Sequence, residues 1–221
     1  MHLEVLVEDA SASIALAIIL EKMLGPNGGG QGFRLHSYRG IGHLPKDLKP
    51  HTDPAKRILL DRLPHILRGY GNSLRDHPNA AVVVVVDSDD RACLAFKHEL
   101  TGVLDGLTPG PTTLFRIAIE EVEAWLRGDE AAVVAAYPAA RRDVLGRHIP
   151  DSICGTWEVL ADAVVPGGAA SLARQGWAEV GRAKCAWAAA IAPHLDLDRT
   201  RRPSFRVFLD GVRRLAGVGP A

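Results

Sequence analysis

The sequence predicts an α/β fold in which a mostly parallel, four-stranded sheet is flanked by helices and followed by a helical C-terminal region. Over residues 1–128, strand-like apolar segments alternate with segments of helical periodicity, the order typical of βαβ units. The run Ala80–Val86 is continuously apolar, as expected for a central parallel strand covered on both faces. Strand signals stop beyond Asp129, so we expect an α/β domain over 1–128 and a helical extension packed on it over 129–221.

The first elements follow from local patterns. His2–Val7 is rich in apolar and β-branched residues and is predicted as the first strand. Ser11 is predicted to cap the helix Ile14–Leu24, whose apolar residues recur at helical spacing. The glycine-rich segment Gly25–Gly32 indicates a loop, and Phe33–Tyr38 is predicted as the second strand.

The remaining elements are read in the same way. A helix is predicted from about Ala55 to Leu67, with Pro64 kinking or restarting it. The strand Ala80–Val86 is followed by a helix to about Leu104, and Thr113–Ile119 is predicted as the fourth strand. The helical patches of the C-terminal region are Glu130–Ala136, Thr156–Val164, Trp177–His194 and Ser204–Leu215.

Composition predicts a globular protein of the cytoplasm. Hydrophobic residues make up 47% of the 221 residues and charged residues 24%, which supports a sizeable core. The apolar run Cys185–Ala192 is far shorter than the roughly 20 residues that span a bilayer, and no secretory signal pattern is recognisable. The three cysteines are far apart and lack a C-x-x-C spacing, which argues against a disulfide framework or a zinc site.

Charge is balanced overall but unevenly distributed. Residues 31–70 carry eight basic and three acidic residues, whereas residues 71–130 carry five basic and eleven acidic residues. The tail from Arg199 onward holds six arginines and Asp210 as its single acidic residue. An acidic centre between basic segments suits a metal with phosphates around it, although solvated helix faces produce the same pattern.

Acidic residues follow three of the predicted strands. Glu8 follows the first strand, Asp87 and Asp89 follow the third, and Glu121 and Glu123 follow the fourth. Parallel strands present their carboxyl ends at one edge of the sheet, so these side chains are expected to converge there. An all-oxygen set of this kind favours Mg²⁺ or Mn²⁺ over zinc. The sequence therefore predicts a metal site formed by these five carboxylates.

Each of these residues has a structural alternative. Asp87 or Asp89 is a candidate N-cap for the following helix, and one of the pair is expected to serve as that cap. Glu121 and Glu123 are also placed to interact with the dipole of a first helical turn. Glu8 is also compatible with an exposed position at a strand end.

The pattern strand–Glu8, strand–Asp87-x-Asp89 resembles the Toprim arrangement of topoisomerases, primases and overcoming-lysogenization-defect nucleases. More closely, the chain is similar to the bacterial family called domain of unknown function 4276. The most specific matching block is Glu121–Leu126, with the pattern E-x-E-A-W-L. The matching segments are Leu6–Ser11, Leu44–Lys46, Leu60–Tyr70, Val85–Asp90, Ile117–Leu126 and, more weakly, Arg202–Phe205.

The resemblance implies a Toprim-like fold and Mg²⁺- or Mn²⁺-dependent cleavage of phosphodiester bonds in DNA or RNA. It assigns Glu8, Asp87, Asp89 and Glu123 to metal binding and catalysis, with Glu8 also as a general base. The chain departs from the broader pattern at Asp9, where a glycine is common, and at Ala12, where a second acid is common. Asp9 either substitutes as a ligand or the first metal site is weaker than in the nucleases.

Partners are also expected from the resemblance. Related proteins imply an ATPase subunit as a partner in phage or plasmid defence, and this chain lacks the G-x-x-x-x-G-K-[ST] loop for hydrolysing ATP itself. Nucleic acid is the expected substrate, no membrane partner is expected, and a homodimer is compatible with the sequence.

Two other functions are compatible with the residues. The first is a non-catalytic Toprim scaffold whose partner subunit supplies the activity, which the departures at Asp9 and Ala12 favour. The second is a phosphotransferase of the haloacid-dehalogenase type, which Asp90-Arg91 disfavours because Gly-Thr normally follows that D-x-D. A nuclease also needs a basic group near the phosphate. The candidates are Lys97, Lys184, Arg39 and the Arg199–Arg206 group.

Overall fold

Four parallel strands, in the order β2–β1–β3–β4, form the centre of the protein in a computed structural model. The structure describes residues 1–26, 31–40, 42–45, 58–146, 151–152, 155–200 and 202–219. The strands are β1 (His2–Val7), β2 (Gly32–Ser37), β3 (Ala80–Asp87) and β4 (Thr113–Ala118). The helices are α1 (Ala10–Leu24), α2 (Leu59–Ser73), α3 (Cys93–Asp105), α4 (Glu123–Arg127), α5 (Glu130–Ala136), α6 (Arg142–Leu145), α7 (Thr156–Val164), α8 (Gly168–Arg174), α9 (Trp177–Ile191) and α10 (Pro203–Ala216).

Parallel pairing aligns the carboxyl ends of β1, β3 and β4. Val7 lies opposite Val85 in the β1–β3 pair, and Asp87 lies opposite Ala118 in the β3–β4 pair. All eight residues of β3 are buried, in agreement with its continuous hydrophobicity. The predicted class is confirmed: the protein is α/β, with an all-parallel four-stranded sheet flanked by helices and a helical C-terminal region, consistent with a Toprim-like fold.

The two faces of the sheet contribute to two separate apolar cores. Val83 and Val85 of β3 belong to the larger core, which also contains apolar residues of α1, α9 and α10. Val82 and Val84 point to the opposite face and belong to the smaller core beneath α2 and α3. Alternate residues of one strand therefore supply both cores, as the side-chain period of two requires.

An aromatic cluster joins the C-terminal helices to the sheet layer. The Trp125 ring is fully buried between Phe205 and Phe208 of α10, with centroid separations of 5.1 and 5.0 Å. The indole N–H of Trp125 donates a hydrogen bond to Ser204 Oγ at 3.0 Å. Helix α10 is thereby held against α4, the helix that follows β4.

Two predictions about helix starts were wrong. The N-cap of α1 is Asp9, whose carboxylate accepts from the backbone N–H of Ala12 at 2.7 Å, while Ser11 lies inside the helix. The N-cap of α3 is Ala92, with no side-chain cap hydrogen bond, so neither Asp87 nor Asp89 caps that helix.

The second helix also differs from its prediction. Helix α2 continues to Ser73, past the predicted end at Leu67, and Pro64 lies within it without restarting it. The predicted start at Ala55, like residues 27–30 of the predicted loop, lies outside the described residues. Helices α6 and α8 were not predicted, because each is shorter than two and a half turns and shows little periodicity.

No helix within the described ranges combines the length and apolar character needed to cross a membrane.

Replacement of the buried tryptophan tests the aromatic cluster. We expect Trp125→Ala to lower the free energy of unfolding by about 3 to 5 kcal/mol, because it opens a cavity between two phenylalanine rings. Trp177→Ala is the matched control, since this side chain is 78% exposed and its loss is expected to cost less than about 1 kcal/mol. Urea unfolding monitored by circular dichroism measures both values, and equal losses would contradict the packing described here.

Candidate metal and phosphodiester site

The carboxyl edge of the sheet brings together two of the predicted acidic residues directly. Asp87 is the last residue of β3, and Glu8 follows the last residue of the neighbouring strand β1. The backbone N–H of Asp87 points towards Glu8 Oε2 at 3.4 Å. The Asp87 side chain is buried, and Glu8 is partly exposed.

The turn after β4 directs Glu121 and Glu123 towards the same edge. Glu120 adopts a left-handed backbone conformation with φ of 65°, and its N–H donates to Ser88 Oγ at 2.8 Å. Its carboxylate turns away from the edge and accepts the backbone N–H groups of Gly155 at 2.6 Å and Thr156 at 3.1 Å. Glu120 therefore caps α7, which leaves the next two glutamates to face the site.

A lysine from the C-terminal region lies among the acidic residues. Lys184 Nζ on α9 is 2.5 Å from Glu121 Oε2 and 3.3 Å from Glu123 Oε2. Ser11 Oγ of α1 donates to the other oxygen of Glu123, Oε1, at 2.7 Å. Of the basic candidates in the sequence, Lys184 is the one that these contacts place at the acidic edge. The side chains of Lys97 and Arg39 are exposed. Arg201, within the Arg199–Arg206 group, lies outside the described residues.

We call these four carboxylates and the ammonium of Lys184 the acidic cluster. Its members are Glu8, Asp87, Glu121, Glu123 and Lys184. One ammonium does not balance four carboxylates, and Lys184 contacts Glu121 and Glu123. Among the described residues, Glu121 Oε1 is buried without a hydrogen-bond partner. The cluster is therefore deficient in positive charge and in hydrogen-bond donors.

The charge deficit changes the acidity of these groups. Burial, reinforced by the charges of Glu8 and Glu123, raises the pKa of Asp87 well above its usual value. Burial and the charge of Asp89 raise the pKa of Glu8 to about 7. Burial and the charge of Glu123 raise the pKa of Glu121 to about 8, although Lys184 acts in the opposite direction. The pKa values of Glu8 and Glu121 are thus about 7 and about 8, and the pKa of Asp87 is raised as well.

Asp89 lies beside the acidic cluster rather than within it. Its backbone is left-handed, with φ of 49°, and its side chain is 58% exposed. Its carboxylate is 3.9 Å from the guanidinium of Arg91. The charge of Asp89 still reaches the site, since it contributes to the raised pKa of Glu8.

Asp9 and Ala12 occupy structural positions. The Asp9 carboxylate caps α1 through Ala12 N–H and also accepts from Ser11 Oγ at 3.2 Å. Ala12 is buried in the larger core. The carboxylate of Asp9 is thus engaged by the helix that supplies Ser11 to Glu123.

The donor chemistry of the acidic cluster fits a hard divalent cation. Its possible metal ligands are all carboxylate oxygens, and Glu121 Oε1 lacks a hydrogen-bond partner among the described residues. As the side chains stand, no three histidine, cysteine, aspartate or glutamate residues of the described ranges are arranged around one ion position. A cation would be held by Asp87 and Glu121, both buried with raised pKa values, together with Glu123.

A second polar cluster, on the opposite face of the sheet, was missed by sequence reasoning. Glu4 of β1 lies 2.9 Å from His2 Nε2, 2.6 Å from His36 Nε2 and 3.2 Å from the hydroxyl of Tyr70. Burial acts to raise the pKa of Glu4, but the hydrogen bonds from His36 and His2 outweigh it, and the pKa is lowered. The contacts of Glu4 with His2, His36 and Tyr70 satisfy its carboxylate. In the acidic cluster, by contrast, Glu121 Oε1 has no hydrogen-bond partner among the described residues.

Comparison with protein families, curated proteins and solved structures finds no match to this chain. The resemblance to the domain of unknown function 4276 family therefore stays a prediction.

The raised pKa values predict a pH-dependent stability. In metal-free buffer the folded state keeps protons on Glu8 and Asp87 that the unfolded chain releases near ordinary carboxyl pKa values, so stability is lost as pH rises. We expect Asp87→Asn to lose less unfolding free energy than the wild type between about pH 5 and about pH 8, because the amide does not titrate. Urea unfolding at both pH values in EDTA measures this.

Asp90→Asn is the matched control for that experiment, because Asp90 is exposed and lies three residues from Asp87. Its pH dependence is expected to follow the wild type. If the unfolding free energy of Asp87→Asn has the same pH dependence as that of the wild type, the prediction that folding raises the pKa of Asp87 is contradicted.

Proposed function

We propose that the chain is a Mg²⁺- or Mn²⁺-dependent nuclease that hydrolyses phosphodiester bonds of DNA or RNA at the acidic cluster. The observation that supports this most directly is the excess of buried carboxylates over ammonium groups at the carboxyl edge of a parallel sheet. Ligands of open α/β sheets bind at this edge. Buried carboxylates with strongly raised pKa values are a feature of functional sites.

The residues divide into distinct roles in this proposal. Asp87 and Glu121 are the cation ligands, because both carboxylates are buried with raised pKa values and Glu121 Oε1 lacks a hydrogen-bond partner among the described residues. Glu123 is oriented by Ser11 and Lys184 and completes the ligand set. When bound, a divalent cation polarises the phosphate and lowers the pKa of water.

Glu8 is suited to accept the proton of the attacking water. It is partly exposed, and its pKa of about 7 lets it change protonation state near neutral pH. The oxygen of water bonds to phosphorus, the bond from phosphorus to the leaving oxygen breaks, and that oxygen takes up a proton. Lys184 supplies a positive charge that stabilises the phosphate as negative charge develops on it.

Cleavage of nucleic acid by the purified chain tests this proposal. We expect plasmid DNA or transfer RNA to be cut in Mg²⁺ or Mn²⁺ and left intact in EDTA. Asp87→Asn preserves the side-chain shape and is expected to lower the rate by at least about a hundredfold, because a ligand is lost. Asp90→Asn is the control and is expected to cut at the wild-type rate, since Asp90 is exposed outside the acidic cluster.

Cutting that survives in Asp87→Asn would contradict the site. The same assay with Asp89→Ala tests whether Asp89 binds the cation or only places a negative charge near it. A loss as large as that of Asp87→Asn would make Asp89 a ligand despite its exposed side chain.

A second candidate function is a non-catalytic scaffold that needs a partner subunit. The contacts of Lys184 with Glu121 and Glu123 favour it, because an internal ammonium neutralises part of the cluster without a cation. Cation binding without cleavage, lost in Asp87→Asn, would favour this function. Only the family resemblance supports an ATPase subunit as a partner in phage or plasmid defence. A homodimer is compatible with the sequence.

A further inference from the structure

A separate cavity lies at the far end of α4 from the acidic cluster. Its volume is about 730 Å³, within the range of sites for small ligands. Helix α4 starts at Glu123 of the acidic cluster and ends at Arg127 of the cavity lining, about 6 Å further along the helix axis. The charged residues that line the cavity are Arg127, Arg142, Arg199, Arg202, Asp129 and Glu130.

The lining carries an excess of positive charge, with four guanidinium groups against two carboxylates. Asp129 is largely committed to other contacts. It caps α5 through Ala132 N–H at 3.2 Å, accepts from Asp196 N–H at 3.0 Å and pairs with Arg199 at 3.4 Å. Arg127 and Arg202 are buried in the lining.

The backbone is shaped to admit one of these arginines. A Cβ atom on Gly128 would lie 2.5 Å from Cγ of Arg202, a distance that real Cβ contacts do not show. The aliphatic stem of Arg202 therefore crosses α4 where a side chain would otherwise stand. Gly128 is a positioning residue for the Arg202 guanidinium.

We propose that this cavity binds a phosphate-bearing ligand of nucleotide size, held by Arg142, Arg199 and the two buried arginines. Planar guanidinium groups bind phosphate oxygens in pairs, and several arginines around one space suit a doubly charged phosphate better than a carboxylate. The cavity has room for a nucleoside in addition to the phosphate. The ligand is either a free nucleotide or one nucleotide of a strand, and the second source rests on the proposed nuclease function.

Binding in EDTA tests the cavity without the acidic cluster. Calorimetric titration uses adenosine monophosphate, adenosine and a short single-stranded oligoadenylate as probes. We expect adenosine monophosphate or the oligoadenylate to bind saturably, and adenosine at least about tenfold more weakly, because the arginines contact the phosphate. Binding of the monophosphate identifies a free nucleotide as the source, and binding of the oligoadenylate alone identifies a strand.

Four variants locate the binding. Arg142→Gln and Arg199→Gln are each expected to weaken it about tenfold, while Gly128→Ala weakens it by displacing Arg202. Arg141→Gln is the matched control: its guanidinium is 3.5 Å from Asp143, and it is outside the cavity lining. Circular dichroism verifies that each variant is folded.

Absence of saturable binding of all probes to the wild type would overturn the proposal. Equal binding by Arg142→Gln, Arg199→Gln and Arg141→Gln would overturn it as well. The result is independent of catalysis, since Asp87→Asn is expected to bind the same probe as tightly as the wild type in EDTA. A chain that binds the probe but does not cut nucleic acid would contradict the nuclease and leave the cavity supported.

Discussion

The parallel pairing of β1 with β3 is the constraint on which the candidate site depends. This pairing ends both strands at the same edge and places Glu8 beside Asp87, although 79 residues separate them. The pairing of β4 with β3 then brings the turn after β4 to the same edge, with Glu121 and Glu123. Because both faces of β3 are buried, the register of these strands is fixed by packing rather than by the acidic residues themselves.

The acidic cluster costs free energy that the fold does not recover locally. Asp87 is buried beside Glu8 and Glu123, whose charges raise its pKa, and Lys184 contacts Glu121 and Glu123. Helix α9 carries Lys184, so the C-terminal region contributes to the site as well as to the core. Natural sequences retain local conflicts of this kind mainly where function requires them, and a divalent cation would resolve this one.

The sheet was predictable because its signals are local. The apolar run of β3 and the acidic residue after it identify a buried strand end without any tertiary information. The positions of the acidic residues at one edge of the sheet were predictable because parallel strands all end at the same edge, and this does not depend on how the helices pack. Helix starts were less predictable, since Asp9 and Ser11 are both good N-caps and only the backbone distinguishes them.

The details of the site depend on tertiary contacts that no local pattern encodes. Lys184 was one of several basic candidates, because the distance between α9 and the sheet edge is set by packing and not by spacing along the chain. The exposed position of Asp89 follows from its left-handed backbone, which the D-x-D pattern does not reveal. The cavity arginines come from three separate segments of the chain, so their charge excess becomes visible only in the folded structure.

The central claim is that the acidic cluster takes a divalent cation at Asp87. Calorimetric titration of Mn²⁺ into the wild type, Asp87→Asn and Asp90→Asn tests it most directly. Saturable binding by the wild type and Asp90→Asn, lost in Asp87→Asn, is the predicted result. Equal binding by all three proteins, or no saturable binding by any of them, would contradict the claim and leave Lys184 as the counter-ion of a purely structural cluster.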